Sequence, residues 1–322
     1  MAYALYALAI VLTRPVSGGL VDLAGRRRVL AVGGVALAAA MALLGLSISV
    51  LHVYAALFLA GVASSLVNVA VIAYVSDVGG LEEPALYSKM RVTAALGAVA
   101  GGVSIPAAYL LSRVASYAVA FRALALAFAA TSLIALAFLP DETRHLSSRH
   151  RRTDMVAATC IMWLTFLLGL ALGLYGPQIL PYLHLRFSLS PFSAILVYLP
   201  AVVAWFYGPR LARPSRRVFA AGVAVMSLAL FGMSLSSSPP IFSAFWILES
   251  FGVAVVSTAL DQSLSRHVAG VYWGRSYGVY QAINNLGYSL GAAASGYLPD
   301  PFICAVVPLG VLLASLFICK AL

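Results

Sequence analysis

Charged residues are scarce in this sequence: Asp, Glu, Lys and Arg make up 9% of its 322 residues, against about 25% in an ordinary soluble domain. That excludes a water-soluble surface of normal density. Cysteine is nearly absent as well. Cys160, Cys304 and Cys319 all fall within or at the ends of apolar stretches. Their odd number and placement do not suggest a disulfide framework, and no Cys or His spacing matches a structural zinc site. They are expected to be helix-packing residues. The first apolar stretch has no basic segment before it and no small-residue cleavage site after it, so no cleavable signal peptide is expected. Also missing are a paired His/Glu metal motif, a nucleophile with a base at suitable spacing, and a phosphate-binding glycine loop. No catalytic residue, metal or cofactor is therefore expected, and a membrane enzyme is the weakest functional reading.

What is abundant is apolar surface. Hydrophobic residues make up 62% of the chain and the mean hydropathy is +0.98, more than a soluble fold of this length could bury. Crossing a bilayer takes about 20 apolar residues. Charged and turn-forming clusters cut the chain into eleven such stretches, approximately 1 to 17, 29 to 50, 53 to 76, 92 to 112, 117 to 139, 155 to 183, 190 to 208, 218 to 236, 241 to 261, 276 to 298 and 302 to 319. They lack the strict alternation of barrel strands, so the expected fold class is all-α, a polytopic transmembrane helical protein.

The net charge of +10 would suggest nucleic acid in a soluble protein. Here the cations sit in short loops between spans, where they orient the chain in the membrane. If Arg26, Arg27 and Arg28 are cytoplasmic, so is every other Lys and Arg except Arg113, Arg122 and Arg186. The expected partner is a lipid bilayer and not nucleic acid, with these loops facing the cytoplasm at the plasma membrane.

An internal repeat gives the organisation. The segment from Gly18 to Arg27 aligns with Gly208 to Arg217 at an offset of 190, and at the same offset Leu96, Gly97 and Gly101 meet Leu286, Gly287 and Gly291. The chain divides into pseudo-repeated bundles, 1–140 and 155–322, joined by a polar cytoplasmic linker, 141–154.

The first loop, Gly-Gly-Leu-Val-Asp-Leu-Ala-Gly-Arg-Arg at 18–27, resembles the G-x-L-x-D-R-x-G-R-R signature between the second and third helices of the major facilitator superfamily. Leu-Pro-Asp-Glu-Thr-Arg at 139–144 is similar to the ending of that family's sixth helix. Departures are specific. Leu23 replaces an Arg of the signature; the second copy keeps that Arg as Arg213 but has Ala212 for the Asp and Ser215 for the Gly. Leu57 stands where the fourth helix normally carries Arg, and Pro106 lacks the preceding Gly of the antiporter motif, so antiport is unsupported. The family has twelve helices and eleven are encoded here. The offset places the partner of 155–183 at about −35 to −7, upstream of Met1, which a misassigned start, a truncated gene or a true eleven-helix protein would each explain.

The resemblance implies a cytoplasmic gate formed by Gly18, Asp22, Gly25, Arg26 and Arg27 with Arg213, Arg216 and Arg217. Asp22 would cap the eleventh family helix near Gly274 to Ser276. The alternative is a plain topology anchor. It also places the cavity on helices 1, 4, 7 and 10, where Glu249, Tyr175, Gln178 and Asn68 are the polar candidates. Glu249 is the sharpest, because a carboxylate at mid-span is costly. It would carry a proton or bind a substrate cation, or else be a protonated group bonded to a neighbouring helix. Tyr175 and Gln178 are expected on one face beside the Gly176–Pro177 kink. Gly97, Gly101, Gly287 and Gly291 are expected to pack helices closely. The leading function is secondary active transport of a small solute by alternating access, with proton coupling at Glu249 and a monomer as the family default. The alternative is a membrane sensor or assembly protein of the same fold that does not transport.

Overall fold

A computed structural model describes residues 2–79, 86, 88–94, 96–97, 116–138, 154–268 and 273–319. Gly101, Pro106, Arg113, Glu82, Glu83 and the linker up to residue 153 lie outside the described residues. The helices are α1 (Ala2–Ala24), α2 (Arg26–Gly45), α3 (Val50–Gly79), α4 (Tyr117–Phe138), α5 (Met155–Tyr175), α6 (Ile179–Phe187), α7 (Pro191–Tyr198), α8 (Val202–Leu211), α9 (Arg216–Ser234), α10 (Pro239–His267), α11 (Trp273–Ser295) and α12 (Pro301–Ile318). Residues 88–94 are also helical. Every regular element among the described residues is a helix, so the fold is all-α. Among the described residues, eight segments are long and apolar enough to cross a membrane.

Prolines explain where expected spans are interrupted. Pro177, and Pro200 further along, lack the N–H that an α-helix needs and crowd the preceding turn. The chain responds with 3₁₀ turns at Gly176–Gln178, between α5 and α6, and at Leu199–Ala201, between α7 and α8. The starts of α5 and α12 are set by side-chain caps. Asp154 accepts from the Ala157 amide at 3.1 Å, and Asp300 from Phe302 and Ile303 at 2.9 and 3.0 Å, satisfying donors with no partner inside the helix.

Two compact units result. The first comprises α1 to α4 with the start of α11, through Ala282; the second comprises α5 to α10, α12, residues 88–94 and α11 from Ile283 onward. Lipid tails are as apolar as Leu, so close packing and polar contacts between helices hold each unit together. In the second unit Gly287 and Gly291 of α11 lie against the α5 backbone, and a methyl at Gly291 would strike Leu170 and Leu174. Asn284 donates to the Thr165 carbonyl at 3.0 Å. Among the described residues, nothing lies within 4 Å of a methyl placed at Gly97.

The cysteines require a correction. Cys160, early in α5, and Cys319, just after α12, form a disulfide with Cα atoms 5.6 Å apart. The two lie 159 positions apart in sequence, and only the α5–α12 packing brings them together. Cys304 is the free cysteine.

Candidate functional site

In the first unit the signature residues converge on one helix end. Gly25 takes φ of 92°, a value that strains any residue with a Cβ, and this turns the chain from α1 into α2 within one residue. Asp22, on the last turn of α1, is thereby held against the first turn of α11. Its Oδ1 accepts from the Gly274 amide at 3.1 Å and its Oδ2 from the Arg275 amide at 2.9 Å. Those amides are unpaired donors at the positive end of a helix, where a carboxylate is favoured. Arg26 lies 3.7 Å from Asp22 and donates to the Val21 carbonyl at 3.2 Å. Gly18, one turn earlier, touches the backbone of Gly274 and Arg275, and any side chain there would overlap the Gly274 carbonyl. Arg27 turns the other way and donates to Leu136 on α4 at 3.1 Å. One turn further along the α1–α11 crossing, the buried Arg14 donates to Gln281, which donates to the Tyr277 hydroxyl at 2.6 Å. Asn68 bonds within its own helix, to the Ser64 carbonyl at 2.8 Å.

In the second unit Glu249 is buried in α10. One oxygen accepts from the Tyr175 hydroxyl and the other from Ser250 at 3.2 Å. Gln178 donates to Ser295 on α11, at 3.0 Å. The second signature copy is also unlike the first. Pro214 disfavours helix in the residue before it, so residues 212–215 form an open loop where the first copy needs one residue. Arg216 donates to the Cys319 carbonyl at 3.2 Å, while Arg213 and Arg217 are exposed. Among the described residues no group of three or more His, Cys, Asp or Glu converges as a metal site would require.

The family model of the major facilitator superfamily matches residues 1–213. This chain belongs to that superfamily. The fold agrees: the chain is similar to the crystal structure of the human organic anion transporter MFSD10 (TETRAN), with a TM-score of 0.80 at 20% identity over 99% of this chain and 82% of that one. No curated protein sequence matches it. As a member of the major facilitator superfamily the chain is a multi-pass membrane protein of a transporter family.

Two contacts of this superfamily member escaped the sequence reading. Asp261, fully buried in α10, accepts from Arg91 through Nε at 3.1 Å and through Nη2. The other is Arg14 with Gln281. The repeat contains the missing signal, since position 281 less the offset of 190 is position 91; both copies use that site to bond a second helix. Arg91 is 21% exposed and Asp261 0%, so removing one partner has unequal consequences. Arg91→Met strands a buried carboxylate and is expected to destabilise by about 3–5 kcal/mol. Asp261→Asn leaves an arginine that can reach solvent and is expected to cost less. Thermal unfolding of the two purified variants checks the order.

Proposed function

We propose that the chain is a secondary transporter of a small solute, working by alternating access between the bundles 1–140 and 155–322 around the 141–154 linker. The observation that carries this reading is Glu249, a carboxylate buried in a long apolar helix and bonded to Tyr175 on another. A carboxylate at that depth is costly and is kept where it binds or carries something. In this reading Glu249 and Tyr175 are the proton or substrate-cation site, and Gln178 and Asn68 line the path to it. Gly18, Asp22, Gly25, Arg26 and Arg27 close the cytoplasmic end by capping α11, with Arg213, Arg216 and Arg217 at the repeated loop. The protein works as a monomer in the plasma membrane with its motif loops in the cytoplasm.

Purified protein reconstituted into liposomes and offered a panel of sugars, organic acids and amphipathic amines under an inward pH gradient tests the reading. Accumulation of at least one solute, collapsing when the gradient is dissipated, is the expected result. A protein that retains its fold and moves none of the panel in either direction would oppose transport.

A further inference from the structure

The second signature copy borders a cavity of about 710 Å³ in the second unit. Its wall includes Ser88, Lys89 and Thr93 from the helical residues 88–94, Arg210 from α8, Arg213 from the following loop and Gln262 from α10. That wall carries three cations and, among the described residues, no carboxylate. Asp261, the neighbour of Gln262, is already engaged by Arg91. Lys89, Arg210 and Arg213 are all exposed. Arg210 rests over the Tyr207 ring at 5.8 Å.

The first copy explains what is missing. There the signature carries its own anion: Asp22 accepts two α11 amides and lies beside Arg26. At the offset of 190 the acid becomes Ala212 and Leu23 becomes Arg213, with Lys89 and Arg210 nearby. The second loop carries positive charge without an internal carboxylate such as the first copy has in Asp22. Pro214 keeps the loop open, so the space is not refilled by backbone. An open, three-cation cavity with hydroxyl and amide groups on its wall suits an anion with several acceptor oxygens, which guanidinium groups bind through paired N–H donors.

We propose that this cavity binds a phosphate group from outside the chain, in the place where the first copy uses Asp22. The group is carried either by an anionic lipid at the membrane surface or by a soluble phosphate compound.

The test uses full-length purified protein and reads binding, not transport, so its failure is separable from failure of the transporter reading. In neutral detergent, inorganic phosphate is titrated at constant ionic strength against chloride while thermal stability is followed. In parallel, the protein is placed in phosphatidylcholine nanodiscs with and without phosphatidylglycerol. Stabilisation by inorganic phosphate supports a soluble ligand, and stabilisation by phosphatidylglycerol alone supports a lipid headgroup. In either case Lys89→Gln with Arg213→Gln is expected to weaken the response at least about tenfold. Ala212→Asp, which supplies the internal carboxylate, is expected to do the same. Arg186→Gln, an exposed cation at the end of α6 and away from the cavity wall, keeps the wild-type response. No stabilisation by either probe overturns the proposal, as does a response that survives both the charge-removal pair and Ala212→Asp. If Ala212→Asp does not fold, the Lys89/Arg213 pair decides alone.

Discussion

Glu249→Gln is expected to abolish solute accumulation driven by a pH gradient while leaving exchange down a solute gradient intact. One proton carried with each solute transmits about 1.4 kcal/mol per pH unit, enough for about tenfold accumulation; in the variant the ratio falls to about one. The substitution separates the two roles open to this residue. Gln has the same shape and keeps one oxygen to accept from Tyr175 on α5, while its NH2 group can donate to the Ser250 hydroxyl that bonds the other oxygen of Glu249, so a residue that only joins two helices tolerates it. A residue that gains and loses a proton does not. Accumulation ratios in liposomes with one pH unit across the membrane give the answer, and undiminished accumulation would remove Glu249 from coupling. Tyr175→Phe is informative beside it: the carboxylate remains, so coupling persists at a lower rate.

Asp22→Ala is expected to open the α1–α11 contact and slow transport by an order of magnitude or more. The carboxylate accepts from two backbone amides, and hydrogen bonds to a charged group contribute about 1.5–3 kcal/mol each. Loss of even about 2 kcal/mol from one conformation shifts its population by more than tenfold. Hydrogen–deuterium exchange reports this directly, because the Gly274 and Arg275 amides lose their acceptor. Exchange in the peptide that contains them is expected to quicken at least about tenfold in Asp22→Ala and less in Asp22→Asn, which retains one acceptor oxygen. A simple topology anchor predicts altered membrane orientation with protection at 274–275 unchanged, and that outcome would remove Asp22 from the gate.

Much of this was legible in the residues alone. Hydropathy and the distribution of charge belong to each residue separately and add along the chain, so spans and loops could be read without knowing what touches what. The signature loop was legible for a related reason: Gly18, Asp22, Gly25 and Arg26 lie within nine positions, and one turn geometry requires them together. The repeat offset, being a property of order, was legible too. It even contained the Gln281–Arg91 equivalence, which stood unread because a single polar position among apolar ones does not announce its partner.

Other features depended on how the helices are rotated and packed. Asp22 meets an amide 252 positions away, and Tyr175 meets Glu249 across 74. Cys160 meets Cys319 although neither its number nor its spacing pointed to a bridge. Gln178 meets Ser295 of α11 across 117. In water an amphipathic stripe would have shown which side of each helix faces inward. In a bilayer both sides are apolar and association rests on close fit and a few hydrogen bonds. The sequence by itself therefore determined that the chain is a multi-pass membrane protein and which of its loops are charged. Only the tertiary structure decided which polar groups meet, because in lipid that choice depends on helix rotation and close packing, which hydropathy does not encode.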